Sequence, residues 1–583
     1  MTTSFASKPS NFDFLKQLRA SKTATLKPCA MLKPGVSLRY YQVVGCLHLL
    51  CLARMVLGDA VGLGKTIQVI AAYAYMLLKD PTMKLLVVTP KSAMFQWAQE
   101  FDKFTTGISV HVLLDKYAVS KDGMTYGSVD ELKASGKPYR TLANFEARKA
   151  QYDHVQAQVF ITGYFSVQED YEFLIANRGL KFAVAFDEIQ ACKNDRTKTH
   201  FGAEKIAQSA TRVYGMSATL IKNRLEEAYN IYKLVVPGLF GSKQKFYQQY
   251  TIRKKKSIFR KGKKRYFNEI VGYVNLDDFR DKIDPYFLIR RTREVAAELP
   301  RLISKRVDIE MFPEQHNLYK MALSGELYRK VIKQRYFEFK EKFDANPTPT
   351  EKERETMTKL ATQYDVSMTA MGLQDSKIAA LTFCQLVSNG PAWIREEGDS
   401  AKEAEFKRLF DDELRDDKVI VFTRFKSGIV RLQGILDALE IKHVKIDGDM
   451  GAKERLDAQN AFQDVSQGIS VMFITAAGSA AINLQSANVI LFYDTPWSYG
   501  DLYQTIGRAQ RIGSIYEHIC LIHMVCRGTI DEHVIKILDG KKHLINDVMG
   551  DIAEGAIEFK NEAMFSGTAS EDEVDELFSS VFG

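Results

Sequence analysis

Short apolar runs rich in β-branched residues alternate with longer stretches of helical spacing along residues 85–217, and again along 419–525. In the first portion the runs are LLVVT (85–89), VFIT (159–162), FAVAFD (182–187) and RVYGMS (212–217). In the second they are VIVFT (419–423), HVKI (443–446), VMFIT (471–475), NVILFY (488–493) and ICLIHMV (519–525). A strand that is apolar on both sides needs cover on both faces, and helical crossovers between such strands make them parallel. The pattern predicts an α/β protein with two parallel sheets, each covered by helices. Ligands are then expected just beyond the carboxyl ends of the strands.

The stretch between the two portions has a different texture. Residues 226–410 are rich in Lys, Glu, Phe and Tyr, and 314–345 and 401–415 have helical spacing of apolar and charged positions. Helical insertions are expected there, with an exposed connection at 346–353, where Pro347 and Pro349 interrupt the pattern. Residues 121–158 read as another insertion, polar at first and then helical. No solenoid-type repeat is present. The division that follows is an N-terminal extension (1–35), a first lobe (36–300) with a helical and basic insertion at about 241–280, a second lobe (301–545) with a helical insertion at about 310–410, and a C-terminal extension (546–583).

With 583 residues the chain can bury several cores. The 80 Lys and Arg against 72 Asp and Glu leave a net charge of +8, which permits a polyanionic partner without requiring one. The distribution of charge is more informative. Residues 253–265, RKKKSIFRKGKKR, contain no acid, and Lys254, Lys255, Lys256 and Lys261 within them suit phosphate contact; an exposed basic loop with no partner is the alternative. Glu571, Asp572, Glu573, Asp575 and Glu576 form an acidic tail of opposite sign. The seven cysteines include no CxxC pair, which argues against a zinc ribbon and for a reducing compartment. The first thirty residues lack the apolar core of a signal peptide, and the stretch 43–58 is broken by His48 and Arg54. A soluble intracellular protein without a membrane partner is expected, in the cytoplasm or nucleoid, or in the host cytoplasm if the origin is viral.

The sharpest chemical signal is DAVGLGKT, from Asp59 to Thr66, between an apolar strand-like run and the helix-forming IQVIAAYAYMLL. Gly62 and Gly64 allow backbone amides to approach phosphate groups, with Leu63 between them. Lys65 is placed to contact the β and γ phosphates of ATP, and the Thr66 hydroxyl to coordinate Mg²⁺. Asp59 stands where the general phosphate-loop pattern has glycine. Downstream, Asp187 and Glu188 end the FAVAFD run in DEIQ. Asp187 is expected to hold Mg²⁺ and Glu188 to polarise the attacking water; capping of the following helix is the structural alternative.

These motifs, in this order, resemble the SNF2-like ATPases of helicase superfamily 2 from about residue 36 to 530. Lys33, Pro34, Leu38, Arg39, Tyr41 and Gln42 match the segment before the nucleotide loop, and the resemblance implies that Arg39 and Gln42 face ATP, with Gln42 reading adenine. DAVGLGKT matches the family's version of the loop, Asp59 included. VVTPKSAMFQWAQEF resembles the next motif, with Pro90, Trp97 and Glu100 in register, and ITGYFSV places Tyr164 in a turn that helps hold a nucleic-acid strand in relatives. DEIQACKN carries Ile189 and Gln190 where Ala-His is usual. Gln190 is expected to hydrogen-bond the coupling segment that begins at Ser217, Ala218 and Thr219 and carries Asn223 and Glu227. PYFLIRRTREVAAELP resembles the link out of the first lobe.

In the second lobe, KVIVFTRFKSGIVRL and IDGDMGAKERLDAQNAF match two motifs, and TAAGSAAINLQSANVILFYDTPWS supplies Gly478, Asn483, Leu484 and Gln485, with Ala481 where glycine is common. YQTIGRAQRIGS supplies Gln504, Arg508 and Arg511, the arginines serving in the family's terms as fingers that neutralise charge during hydrolysis. Gly507 replaces a common aspartate there, and Ser514 a common glutamine.

The resemblance implies two RecA-like lobes, ATP and Mg²⁺ as cofactors, and a compact, divergent member of bacterial or viral type. It implies a DNA-dependent ATPase that translocates on double-stranded or branched DNA in repair, recombination or replication, together with proteins of those pathways. Gly478, Asn483 and Gln504 would couple nucleotide state to lobe motion, and Lys91 and Arg424 would touch the phosphate backbone. A strand-separating or branch-migrating helicase and a silent ATP-gated clamp are the alternatives.

Overall fold

The apolar runs of each portion pair into one sheet. In the computed structural model, residues 9–136, 138–176, 182–218, 225–260, 263–290, 299–367, 377–475, 482–497, 499–511 and 513–538 are described. Thr219, Asn223, Lys261, Gly478, Ala481 and the acidic tail lie outside them. Among the described residues the first sheet has seven parallel strands in the order Phe287–Leu288, Arg54–Leu57, Arg212–Met216, Phe182–Asp187, Lys84–Thr89, Val159–Gly163, Val110–Val112. The second has six parallel strands in the order Arg301–Ile309, His518–Cys526, Val489–Phe492, Val419–Phe422, Val471–Ile474, His443–Ile446. Two separate apolar clusters lie on the first sheet, one holding Val56, Val88 and Val184 and the other Leu57, Val87 and Ala185, as expected when neighbouring residues of a strand point to opposite covered faces.

The structure departs from the sequence reading in several places. Val110–Val112, Phe287–Leu288 and Arg301–Ile309 are strands that hydrophobic patterning missed. The first two are too short to carry a period. The third lies at the sheet edge and is exposed over most of its length, so its charged residues need no burial.

The 121–158 insertion is not polar loop followed by helix alone. Lys116–Ser120 pairs antiparallel with Tyr126–Gly127 and Tyr139–Ala143 into a small sheet closed by the helix Asn144–His154. Arg148 of that helix is buried and ties the insertion to the first lobe through Asp170, at 2.5 and 2.9 Å, and Asp115, at 2.6 Å.

Within the basic block, residues 253–260 and 263–265 are strand, neither loop nor helix. Thr251–Arg260 and Lys263–Tyr273 form an antiparallel hairpin in which Lys254 pairs with Glu269, Lys255 with Asn268 and Lys256 with Phe267. The helical expectation further on is met by Pro313–Leu323, Glu326–Asp344 and Glu351–Ser367. The two prolines fall in the connection between the last two of these helices. Among the described residues no helix is long and apolar enough to cross a membrane.

Candidate nucleotide site between the two sheets

The loop 58–64 leaves the carboxyl end of the strand Arg54–Leu57 and enters the helix Lys65–Lys79. Gly62 and Gly64 both take positive φ, +88° and +75°, which a side chain would strain. A Cβ on Gly64 would also lie 2.7 Å from Gln42 Nε2, so the glutamine amide is packed against the loop. Gln42 is fixed in that place at both ends: its Oε1 accepts from the Arg39 amide at 3.0 Å and its Nε2 donates to Leu63 O at 3.2 Å. Arg39 is exposed at the N-terminus of the helix Tyr40–Cys51.

Lys65 Nζ bends back to donate to Asp59 O at 2.7 Å. Burial lowers its pKa, and Glu188, Asp59 and Asp187 are close enough to pull it back up. Thr66 follows in the first turn of the helix. Asp187 ends the strand Phe182–Asp187, and Oδ2 accepts from Trp97 Nε1 at 2.8 Å and from Thr89 Oγ1 at 3.1 Å. Burial and the neighbouring Glu188 raise the Asp187 pKa, against these two hydrogen bonds. Glu188 is held at φ +52°, turning it away from the strand direction.

The second sheet delivers the opposite charge. Arg508, in the helix Tyr499–Ala509, is buried, and Arg511 follows just past the helix end. Both arginines sense the charges of Glu188 and Asp187. Burial and the proximity of Arg508 push Arg511 down to about 9. Arg508 donates to Ile482 O at 3.4 Å, whereas its buried Nε has no hydrogen-bond partner among the described residues. Arg511 Nε donates to Gly507 O at 2.8 Å.

The two halves touch closely. A Cβ on Gly62 would lie 2.9 Å from Gln510 O, and one on Gly507 would lie 2.9 Å from Val61 Cβ and closer still to its Cγ1. Three cations with an orphaned guanidinium nitrogen, set against two carboxylates, form a donor set that fits a polyphosphate with a divalent ion.

Several residues do not sit as the sequence reading expects. Asp59 does not point toward a ligand. Its fully buried carboxylate is gripped by Arg290, with Nε to Oδ1 at 2.8 Å and Nη2 to Oδ2, and by Gln68 Nε2 at 3.0 Å. Gln190 Nε2 donates to Glu188 Oε2, while residues 219–224 of the coupling segment that it is expected to meet lie outside the described residues. Tyr164 is buried and donates to Asp187 O at 2.8 Å, which makes it a support of the acidic pair and not a strand contact.

Arg424 lies with its guanidinium 3.6 Å from the Trp497 ring centroid and donates to Gln385 Oε1 at 2.6 Å. Burial lowers its pKa to about 10, and with Lys426 and Lys445 it lines an open pocket on the second lobe. Lys91 is exposed and ion-paired to Asp115 at 2.8 Å. Ile189 fills the core beneath Gly215, where a Cβ would meet it at 2.8 Å.

Ser217 donates its amide to Leu57 O at 3.1 Å, bringing Ser217 and Ala218 beside the strand that feeds the nucleotide loop. Glu227 pairs with Lys193 at 3.1 Å. Asn483 is bracketed by Gln459, which accepts from its amide at 3.0 Å, and Gln463, which donates to its carbonyl at 3.0 Å. Gln504 lies in the same helix as Arg508. Lys254 and Lys255 are exposed on the hairpin, far along the chain from the loop. Sequence reasoning missed Arg290, Gln68, Gln510 and the Asp187 role of Trp97. For Arg290 the one available signal was its place in the family-like link.

Two family models match the chain. The SNF2-related domain matches residues 41–364 and the helicase conserved C-terminal domain matches 401–513. The chain belongs to the SNF2-related family. It is 25% identical over 507 residues to the uncharacterized ATP-dependent helicase YqhH of Bacillus subtilis, covering 86% of this chain and 77% of that one. It is 23% identical to an uncharacterized ATP-dependent helicase of Mycoplasma genitalium over 85% of this chain, but spans only 40% of that protein's length. A mouse relative, chromodomain-helicase-DNA-binding protein 1-like, is 25% identical, with 52% of its length spanned. Among solved structures, the Sulfolobus solfataricus SWI2/SNF2 ATPase core in complex with dsDNA is 21% identical over 90% of this chain and 96% of that chain, at a TM-score of 0.37.

Proposed function

We propose that this SNF2-family protein is a DNA-stimulated ATPase that converts hydrolysis into translocation along double-stranded DNA. The observation that carries the proposal is the meeting of Arg508 and Arg511 from one sheet with Lys65, Asp187 and Glu188 from the other. A site completed by two bodies responds to their separation, so occupancy of the site and lobe position are linked.

ATP would lie with its phosphates along the 58–64 loop, Lys65 leaving its carbonyl partners to meet them. Thr66 and the Oδ1 face of Asp187 would hold Mg²⁺, since both hydrogen bonds from Trp97 and Thr89 fall on Oδ2. When bound, Mg²⁺ supplies charge neutralisation to the β and γ phosphates. Glu188 would take the proton of the attacking water, and Arg508 and Arg511 would oppose charge developing on the transferred group.

Hydrolysis then removes the group that joins the lobes, and each lobe must hold DNA differently before and after for a step to result. The basic hairpin is the surface best suited to phosphate contact on the first lobe. The mouse relative carries DNA binding in its name, which favours DNA as the track, and duplex is the form that the family resemblance implies.

The test is phosphate release without DNA and with single strands, linear duplex and a branched junction, followed by triplex and strand displacement. Stimulation by duplex together with triplex displacement, and no unwinding, supports the proposal. Unwinding would favour a helicase, and absence of turnover on every substrate would leave only an ATP-gated clamp.

A further inference from the structure

Arg290 leaves the first sheet two residues after the edge strand Phe287–Leu288, more than two hundred residues along the chain from the nucleotide loop, yet it makes that loop's densest set of polar contacts. Its guanidinium pairs bidentately with the fully buried Asp59, donates to Gln68 Oε1 at 2.9 Å, and donates to Tyr41 O in the helix that carries Gln42. The main chain follows the same path, with Gly58 N donating to Leu288 O at 2.7 Å and Ala60 N to Arg290 O at 3.0 Å. A fixed planar fork is the side chain best able to satisfy a carboxylate and two carbonyl oxygens together.

At Pro300, on the threshold of the second sheet, the contact is with the other half of the site. Gln510, next to Arg511, donates its Nε2 to Pro300 O at 2.8 Å, and its own carbonyl faces Gly62. Leu299 packs with Tyr41, Ala60 and Leu63 beside the loop. The chain that joins the two sheets is thus gripped by the phosphate loop where it departs and by the arginine loop where it arrives.

We propose that Arg290 and Gln510 are positioning residues through which nucleotide occupancy is transmitted to the relative placement of the lobes. Asp59 is then a handle on the link and not a ligand group. Displacement of Lys65 Nζ from Asp59 O by phosphate alters the residue that Arg290 holds. Gln510 moves with Arg511 at the other end. The inference rests on the reading of 59–66 as a nucleotide site.

The experiment compares Arg290→Gln, Asp59→Asn, the two together, Arg290→Lys and Gln510→Ala with the unaltered chain. It measures the affinity for a fluorescent non-hydrolysable ATP analogue, the ratio of DNA-stimulated to basal turnover, and the folded fraction by thermal melting. Arg290→Gln and Asp59→Asn should each weaken analogue binding about tenfold and reduce the stimulation ratio, the pair being no worse than either alone. Arg290→Lys should recover part of the affinity. Gln510→Ala, which leaves the phosphate loop intact, should keep analogue affinity and lose stimulation.

Additive losses in the pair, or unchanged affinity and stimulation in well-folded Arg290→Gln, would overturn the proposal. If Arg290→Gln does not fold, Gln510→Ala decides: full stimulation in that variant is equally fatal. An unaltered chain that binds the analogue but is not stimulated by DNA sinks the translocase reading instead, and the pairwise affinities still decide the Arg290 to Asp59 linkage.

Discussion

Gly507 faces Val61 across the two lobes so closely that a Cβ on the glycine would sit 2.9 Å from Val61 Cβ and collide with its Cγ1. The partner is β-branched and stiff about its first torsion, so it cannot yield cheaply. Arg508, the next residue, is near enough to sense the charges of Glu188 and Asp187. Gly507→Ala should therefore slow turnover about tenfold or more by opposing closure, with little effect on nucleotide binding to the first lobe. Val61→Ala in the same chain should restore most of the rate. Equal rates for the single and double variants in steady-state ATPase assays would show that the contact does not limit closure.

Glu188→Gln keeps the shape and the hydrogen bond from Gln190 while removing the base. Turnover should fall roughly a hundredfold or more with analogue affinity retained. Normal turnover in this variant would transfer the base role elsewhere.

Trp97 holds Asp187 by one charge-assisted hydrogen bond, and burial already raises that carboxyl above its ordinary range. Trp97→Phe removes a bond that lowers the pKa, so the Asp187 pKa should rise further. Because the carboxylate is the form able to hold a cation, the acid limb of the turnover profile should move to higher pH, and half-saturating Mg²⁺ should rise. A pH profile with an unmoved acid limb argues against a functional role for this bond.

His48 is completely buried, with Nδ1 donating to Val44 O at 2.8 Å and Nε2 accepting from Arg19 Nε at 3.4 Å, an arrangement that requires the neutral ring. Burial holds its pKa at about 4, below the ordinary 6.5. The unfolded chain then takes up the proton first, so this contribution to stability is whole above pH 6.5 and drains away as pH falls toward 4. The loss amounts to about 3 kcal/mol for the ring. Denaturant titrations between pH 7 and 4 should show a shallower loss for His48→Asn, which can keep a donor to Val44 without a titrating group. Parallel curves would contradict the assignment.

If the hairpin meets the DNA backbone, replacing Arg253, Lys254 and Lys255 with glutamine should weaken binding to all sequences alike. The slope of log affinity against log salt should fall by about 2 to 3, roughly one for each phosphate that is no longer neutralised. An unchanged slope would place the DNA elsewhere.

The sequence by itself determined the two parallel sheets, the loop from Asp59 to Thr66, the acidic pair and the family. Each is written in a run of neighbouring residues: apolar strands must be covered, glycine permits positive φ, and a carboxylate at a strand end projects from it. What the sequence could not determine is which polar groups turn toward a ligand and which toward one another. Asp59 and Tyr164 both read as ligand-facing groups, and the tertiary structure turns each inward, to Arg290 and Asp187 O. A buried charge or hydroxyl must find a partner, and those partners lie from 23 to 231 residues away along the chain. Only folding closes that separation, just as it decides that Gly507 meets Val61.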